Sequence, residues 1–184
     1  MPARAEDTPL NQIRRSDRAI TDPAWIIAFL QRAPVGVVAT ACDNKPFLNT
    51  NLFVYDNERH LIYFHTALKG QTRTNIERNP QVCFSAFEMG RLLPADVALD
   101  FSVEYASVVV FGSATIVEEE EEALRALQML LDKYFPHLRA GSDYRPPVEE
   151  ELRRTSVYRL EIESWSAKRK VVEADFPGAF YYAD

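Results

Sequence analysis

The chain has 184 residues, of which 47% are hydrophobic and 26% charged, proportions typical of one compact globular domain. No apolar run approaches the roughly 18 residues of a membrane span, and the formal net charge of -6 has the wrong sign for a protein that mainly binds nucleic acid. The six glycines are dispersed, so no GxGxxG or GxxxxGK loop occurs. The two commonest nucleotide-binding loops are therefore excluded.

The first third of the chain is predicted to form an arm, a helix and three strands. We interpret the polar segment 1–22 as an N-terminal arm. Asp22 before Pro23 is typical of a helix N-terminus and predicts a short helix that ends at Arg32. Apolar, aromatic and β-branched runs then predict three strands, over Val35 to Cys42, Phe47 to Tyr55 and His60 to Thr66.

The rest of the chain alternates strands and helices. Periodic apolar residues predict a helix from Leu68 to Arg78 and another that begins in the Glu118 to Glu122 run and ends at Pro136. The second helix carries an apolar stripe of Leu124, Leu127, Leu131 and Tyr134. Three more strands are predicted over Gln81 to Phe87, Ser102 to Val117 and Val157 to Glu163, with an irregular crossing from Glu88 to Phe101.

Six strands with helices at the margins predict a mainly β (α+β) fold, an antiparallel barrel rather than a doubly wound sheet. Gly112 lies in the middle of the long fifth strand. A glycine at such a position is typical of a bulge or a sharp bend.

The cysteines and the first residues indicate a cell compartment. Cys42 and Cys83 lie in apolar runs, where a free cysteine packs as a small hydrophobic residue; a disulfide or a reactive thiol is the alternative. The first 20 residues contain no continuous apolar segment, so we expect no secretory signal. We therefore expect a cytoplasmic protein.

Motifs for metal binding and for nucleophilic catalysis are missing from the sequence. The three histidines are His60, His65 and His137, and neither HExxH, CxxC nor GxSxG occurs. We expect no metal site, and no catalytic residue can be assigned.

Two amides interrupt an aromatic strand face. Asn49 and Asn51 share one face of the second strand with Phe47, Phe53 and Tyr55. They either face solvent or a neighbouring turn, or they bind the heteroatoms of a planar ligand.

Cations cluster where the third strand leads into the next helix. A helix N-terminus presents unpaired N–H groups and a partial positive charge. Lys69 and Arg73 are four residues apart, which predicts that they share a helix face and together neutralise a phosphate. The alternative is that both cations are only solvated. Trp165, before Lys168, Arg169 and Lys170, either packs at the rim or stacks on a flat cofactor.

Taken together, these segments resemble the FMN-binding split-barrel superfamily, the pyridoxamine 5'-phosphate oxidase-like proteins, and within it the nitroimidazole-resistance-like branch. The resemblance runs from about Arg14 to Arg169. Its carriers are Arg14 to Arg18, Leu61 to Thr66 with Gly70 to Arg73, Asn79 to Phe84, Ser107 to Ala114, and Trp165.

The resemblance implies a six-stranded antiparallel split β-barrel over residues 23–166, a C-terminal tail over 167–184, and a homodimer with FMN at its interface. It also implies a set of cofactor-binding residues. The flavin ring would meet Asn49, Thr50, Asn51, His65 and Thr66, the phosphate would meet Lys69, Gln71, Thr72 and Arg73, and Trp165 and Lys168 would approach from the other subunit. Phe64 and Ser107 are the remaining expected cofactor-binding residues.

The sequence departs from the oxidases of that family at two places. They carry an Arg-Lys pair where this chain has Gln71-Thr72, and the chain lacks their Arg-Leu-His-Asp-Arg type of ending, so we do not expect a typical pyridoxamine-phosphate oxidase. One hypothesis is an FMN-dependent oxidoreductase that passes electrons or hydride from a nicotinamide donor to a small molecule. The other is a carrier or sensor that binds flavin, deazaflavin or haem without turnover.

Overall fold

The structure is a computed structural model that describes residues 9–182. The first eight residues of the predicted arm and the last two of the predicted tail lie outside the described residues. Eight strands are found in the described part: β1 (Ala19–Ile20), β2 (Gly36–Cys42), β3 (Lys45–Asn51), β4 (Phe53–Asp56), β5 (Leu61–Ala67), β6 (Gln81–Leu93), β7 (Ser102–Ile116) and β8 (Thr155–Lys170). The α-helices are α1 (Pro23–Arg32), α2 (Gln71–Arg78), α3 (Glu120–Tyr134) and α4 (Glu149–Leu152).

The strand count of six predicted from the sequence is wrong, because the sheet has eight strands. The predicted strand from Phe47 to Tyr55 is interrupted at Leu52 and forms β3 and β4. The short strand β1 lies in the predicted arm and pairs with the end of β8. The strand β1 depends on hydrogen bonding to a strand distant in the chain rather than on local sequence.

Two of the predicted strands are longer than their sequence patterns indicate. The crossing from Glu88 to Phe101 is not irregular in its first half, since β6 continues to Leu93. Its pairing with β7 continues through a register shift between Met89 and Leu92, which accommodates Gly90 and Arg91. β8 likewise continues well past Glu163 to Lys170.

The sheet curls because its two end strands are neighbours in the chain. All pairs are antiparallel, and the strand order is β3-β2-β6-β7-β8-β5-β4, with β1 added to β8. Only Leu52 separates β3 from β4. The last residue of β3 therefore lies within about 7 Å of the first residue of β4. The two edges meet there without pairing along their length.

The bulge predicted at Gly112 is confirmed. The pairing of β7 with β8 shifts register between Phe111 and Gly112. A Cβ atom added to Gly112 would lie 1.9 Å from the carbonyl oxygen of Glu161. No larger residue fits there without moving β8, which explains a glycine in the middle of a buried strand.

Two apolar cores lie on opposite sides of the curled sheet. The larger core fills the interior and includes Phe29, Phe53, Phe84 and Tyr158. The smaller one packs α3 against the outer surface of β4, β5 and β8. The buried residues of α3 are Ala123, Ala126 and Leu130, and the leucines of the predicted apolar stripe lie partly buried beside them. Among residues 9–182, no helix is both long and apolar enough to cross a bilayer.

Lys133 fastens the end of α3 to the rest of the molecule. Its Nζ donates to the carbonyl oxygens of Leu30, Ala33 and Phe53 at 3.3, 2.8 and 2.9 Å, and it lies 3.7 Å from the centroid of the Phe53 ring. Burial lowers the pKa of Lys133 to about 8. The ammonium thereby satisfies carbonyls at the C-terminal end of α1, which that helix leaves without partners.

The C-terminal tail lies against the end of β6 and the beginning of β7. Arg91 forms an ion pair with Glu104 at 2.8 Å and donates to the carbonyl oxygens of Val172, Glu173 and Ala174. The N–H of Val172 in turn donates to Glu104. A two-way backbone bridge joins Leu92 to Phe180, so the tail is fixed over about ten residues.

Candidate functional site

The two amides singled out in the sequence are bonded to each other and to α2. The side-chain N–H of Asn49 donates to Thr72 Oγ1 at 3.1 Å and to Asn51 Oδ1 at 3.4 Å. Asn51 Nδ2 donates to the backbone oxygen of Asn49 at 3.1 Å. Thr72 is buried, so it holds Asn49 in place and is not itself available to a ligand. Thr50, between the amides, faces outward and is exposed.

Helix α2 begins with an open N-terminus beside this amide cluster. Its N-cap residue is Gly70, and no side chain bonds the first turn of the helix. A Cβ atom added to Gly70 would meet nothing within 4 Å. The first N–H groups of α2 therefore have no side-chain cap, and an uncapped helix N-terminus suits an anion.

Of the two predicted phosphate-binding cations, Lys69 has no side-chain partner among residues 9–182, whereas Arg73 has two. Lys69 precedes α2 and is exposed, so the prediction that it shares a helix face with Arg73 is wrong. Arg73 lies on the helix, where its guanidinium donates to Glu77 and to Ser156 Oγ, both at 2.8 Å. Gln71 Nε2 donates to Asn75 at 2.6 Å, and Asn75 donates to Thr40.

A polar cleft of about 380 Å³ opens between α2 and the hairpin of β2 and β3. Three of the residues that line it, Lys45, Phe47 and Arg78, were not predicted from the sequence to line a cleft. The signal was present in Asp43 and Asn44, both of which adopt the left-handed conformation of a tight hairpin turn. That turn places Lys45 and Phe47 opposite the first turns of α2.

β5 presents successive residues to opposite sides of the sheet. Phe64 is fully buried and its ring stacks on Tyr158 with centroids 4.8 Å apart, so the expected contact of Phe64 with a flavin ring is not available. Thr66, on the same side, lies 3.1 Å from the hydroxyl of Tyr158. His65 points to the other side, towards α3. His65 and Thr66 therefore border two different spaces.

The space beside His65 is an apolar cavity of about 490 Å³ between β5, α3 and α4. Three leucines of α3 line it, including Leu127 and Leu131 of the predicted apolar stripe. Desolvation beside this cavity lowers the pKa of His65, whose side chain remains exposed, so the neutral imidazole is favoured. The complete lining is Leu52, His65, Leu127, Leu130, Leu131, Tyr134, Phe135, Pro147, Glu151, Arg154 and Thr155.

The three remaining expected site residues lie elsewhere in the chain. Ser107 and Lys168 are direct cross-strand partners on β7 and β8, on the sheet surface that faces away from the interior. Trp165 packs against the main core and edge-on to His60, with ring centroids 4.9 Å apart. Within one chain, these residues are not brought to the amide cluster.

Residues 9–182 contain two unbridged cysteines and no cluster of metal ligands. Cys42 and Cys83 are unbridged, and burial raises the pKa of the Cys83 thiol. No group of three or more His, Cys, Asp or Glu side chains in that range could hold a metal ion.

The curled antiparallel sheet with open edges and the helix-capped polar cleft define a split-barrel protein, as the structural relatives below confirm. The sequence profile of the pyridoxamine 5'-phosphate oxidase family matches residues 22–169. The chain belongs to that family. Both the resemblance and the fold class inferred from the sequence are therefore confirmed, apart from the number of strands.

Solved structures with the same fold include three of particular interest. The flavocytochrome Anf3 from Azotobacter vinelandii is 21% identical, with 95% of this chain and 85% of that one covered and a TM-score of 0.78. The FAD and haem binding protein from Mycobacterium smegmatis is 18% identical, with 84% and 74% covered and a TM-score of 0.75. A 5-nitroimidazole antibiotic resistance-like protein from Bacteroides thetaiotaomicron is 19% identical, with 82% and 86% covered and a TM-score of 0.67. No curated protein matches the chain.

Proposed function

We propose that the protein is an FMN-binding oxidoreductase whose flavin lies between β3 and α2. The observation that carries this proposal is the open N-terminus of α2 beside the amides of Asn49 and Asn51. Phosphate binds readily at such a helix end, and amides bind the donor and acceptor atoms of a planar ring. Structural relatives that bind FAD, or FAD and haem, add support.

Residues of the cleft and of the neighbouring amide cluster would together hold the cofactor. Lys69 and the first N–H groups of α2 would hold the phosphate, and Lys45 would add positive charge across the cleft. Phe47 would offer an apolar surface to the ring. Thr72 keeps Asn49 oriented, and Arg73 is a structural residue tied to Ser156. A bound flavin would supply the electron or hydride transfer from a nicotinamide donor to a small molecule.

The hydrogen bonds of two α2 side chains argue against pyridoxamine phosphate as the substrate. The side chains of Gln71 and Thr72, which stand where oxidases of the family carry cations, are committed to Asn75 and Asn49.

The proposed location is the cytoplasm, where the unbridged Cys42 and Cys83 would remain reduced.

We propose a homodimer that forms through the outer surface of the sheet. The register of β3, β2, β6, β7 and β8 aligns a surface without charge, made of Leu48, Thr50, Val37, Ala39, Cys83, Ser85, Phe87, Ser107, Val109, Phe111, Ser164 and Ser166. Phe87 is 66% exposed and Leu48 is 65% exposed. Burial of such a surface against a second copy would remove it from water, and Ser107 with the adjacent Lys168 could then approach the other subunit's flavin.

Titration of the protein with FMN and with riboflavin tests the flavin site. Lys69→Gln should weaken FMN binding about tenfold, because a charge-assisted bond to the phosphate is lost, and should leave riboflavin binding unchanged. Arg139→Gln, at an exposed position, is the control and should affect neither. Failure of the wild-type protein to bind flavin, or an equal loss for both ligands, would contradict the proposal. Anaerobic bleaching of the flavin by NADH or NADPH tests the oxidoreductase activity.

A second candidate function is haem binding in the cavity beside His65, on the opposite side of β5 from Thr66. The specific observation is a neutral imidazole that faces an apolar cavity of about 490 Å³, since neutral histidine is a common axial ligand of haem iron. Two structural relatives, a flavocytochrome and a FAD and haem binding protein, are consistent with it. Together the two sites would describe a flavoprotein with haem as a second redox group.

Hemin titration monitored at the Soret band tests the second candidate. The wild-type protein should give a ligated spectrum, and His65→Gln should lose it. His137→Gln replaces an exposed histidine outside the cavity and should behave as the wild-type protein does. An unchanged hemin spectrum in His65→Gln would rule out this ligand.

A further inference from the structure

The cavity beside His65 has two charged residues at its mouth, and one of them is already neutralised. Glu151 accepts a hydrogen bond from Arg145 at 2.6 Å through one carboxylate oxygen and from the N–H of Val148 at 3.2 Å through the other. The bond to Arg145 is the main reason that the pKa of Glu151 is lowered. Glu151 therefore presents no free negative charge to the cavity.

Arg154 is in the opposite situation. It lines the same cavity and is exposed at the mouth. Within residues 9–182, no carboxylate lies within ion-pair distance of it, and its guanidinium makes no hydrogen bond. A guanidinium has five donors in a planar fork that matches a carboxylate. The preceding Arg153 is also exposed but does not line the cavity.

Apart from His65, Tyr134 and Thr155, the inner wall of the cavity is apolar. Leu52, the leucines of α3, Phe135 and Pro147 form most of the surface. The hydroxyl of Tyr134 is already bonded to the backbone of Pro34 and Phe53 at 2.9 and 3.0 Å. The cavity thus combines an apolar interior with a single unpaired cation at the entrance.

We propose that Arg154 is the residue that determines specificity in this cavity, and that the cavity selects a planar, largely apolar molecule with a carboxylate at one edge. The apolar plane would lie against the leucines of α3, and the carboxylate would reach Arg154 at the mouth. This inference rests on the second candidate function in so far as the cavity must bind a ligand. It does not require that the ligand contain iron.

Metal-free protoporphyrin IX and its dimethyl ester are suitable probes, because they differ in charge and not in their planar ring. In a fluorescence titration of the full chain, the wild-type protein should bind the diacid more tightly than the ester. Arg154→Gln should weaken binding of the diacid about tenfold and leave binding of the ester unchanged. Arg153→Gln should leave both affinities unchanged, and Leu131→Phe, which fills the cavity, should weaken both.

The outcomes separate this inference from the haem proposal. Equal affinity of the wild-type protein for diacid and ester, or equal effects of Arg153→Gln and Arg154→Gln, would overturn the role of Arg154 even where hemin binds through His65. A tenfold loss confined to the diacid in Arg154→Gln would support it even where hemin is not ligated by His65. Failure of the wild-type protein to bind either porphyrin would overturn the role of Arg154, whereas the haem proposal is tested separately by the hemin titration, because only hemin carries the iron that His65 would ligate.

Discussion

The two spaces on either side of β5 are built in opposite ways. On the α2 side, polar side chains are bonded to one another before any ligand arrives, as in the chain from Gln71 through Asn75 to Thr40. On the α3 side, the walls are apolar, and His65 and Arg154 are left without protein partners among the described residues. The first space is organised by its own hydrogen bonds, and the second is organised by packing alone.

This contrast indicates which changes each space should tolerate. A hydrogen-bonded cleft loses its geometry when one partner is removed, because the remaining partner is left unsatisfied. An apolar cavity keeps its shape through such changes and depends instead on whatever holds its helix in position. Lys133 does this for α3, and Thr72 is the corresponding support in the α2 cleft.

Replacement of Lys133 should have the largest effect and should be confined to the α3 side. Lys133→Met leaves three carbonyl oxygens without their donor, and we expect the free energy of unfolding to fall by about 2–3 kcal/mol. Chemical denaturation measures this change, and Arg169→Met, at an exposed position, should change it by less than about 0.5 kcal/mol. If Lys133→Met also weakened FMN binding to the folded protein, the two spaces would not be independent.

Replacement of Thr72 should have a smaller effect, on the α2 side. Thr72→Val keeps the shape of a buried side chain and removes the acceptor of the Asn49 amide. We expect a loss of about 1 kcal/mol in the free energy of unfolding, together with weaker FMN binding because Asn49 is no longer held in place. Thr115→Val, on an exposed part of β7, should change neither quantity. Unaltered FMN affinity in Thr72→Val would show that Asn49 does not contact the flavin.

The smallest effect should be a pH dependence that originates in the apolar cavity. Desolvation lowers the pKa of His65 from its usual 6.5 in the folded protein. Below pH 6.5 the unfolded chain therefore binds more protons than the folded one, so the free energy of unfolding should decrease as the pH falls from 6.5. Denaturation of the wild-type protein and of His65→Gln over this range should reveal the difference. His137→Gln should retain the wild-type dependence.

The sequence predicted the fold well wherever a local signal determines structure. Asp22 accepts the N–H of Ala24 at 2.9 Å and caps α1 as its position before Pro23 indicates. Gly112 could be recognised because only a close backbone approach requires glycine in a strand. The interruption at Leu52 could not be recognised, since the alternation from Phe47 to Tyr55 continues smoothly through it. The extension of β6 was hidden because Gly90 and Pro94 are typical of loops.

The two spaces also differ in how far the sequence predicts them. The amide cluster beside the α2 cleft was largely predictable, because Asn49 and Asn51 stand out as polar residues in an apolar strand, whereas Lys45 and Arg78 of the cleft itself were missed. The cavity beside His65 was not predictable from the sequence, because its walls come from distant parts of the chain that only the packing of α3 brings together. Its leucines have the spacing of an ordinary core helix, so no sequence pattern distinguishes a filled interior from an empty one.

The ion pair of Arg91 with Glu104, which holds the tail, makes the attachment of the tail sensitive to acid. The bond from Arg91 and the N–H of Val172 hold the pKa of Glu104 at about 2. The carboxylate therefore keeps the tail attached at pH 4.5, and this contribution is lost as the pH falls towards 2. Release of the tail would be a local opening that leaves the barrel folded. An acid-active protease should then trim the chain near Val171, and Glu104→Gln should be trimmed at higher pH.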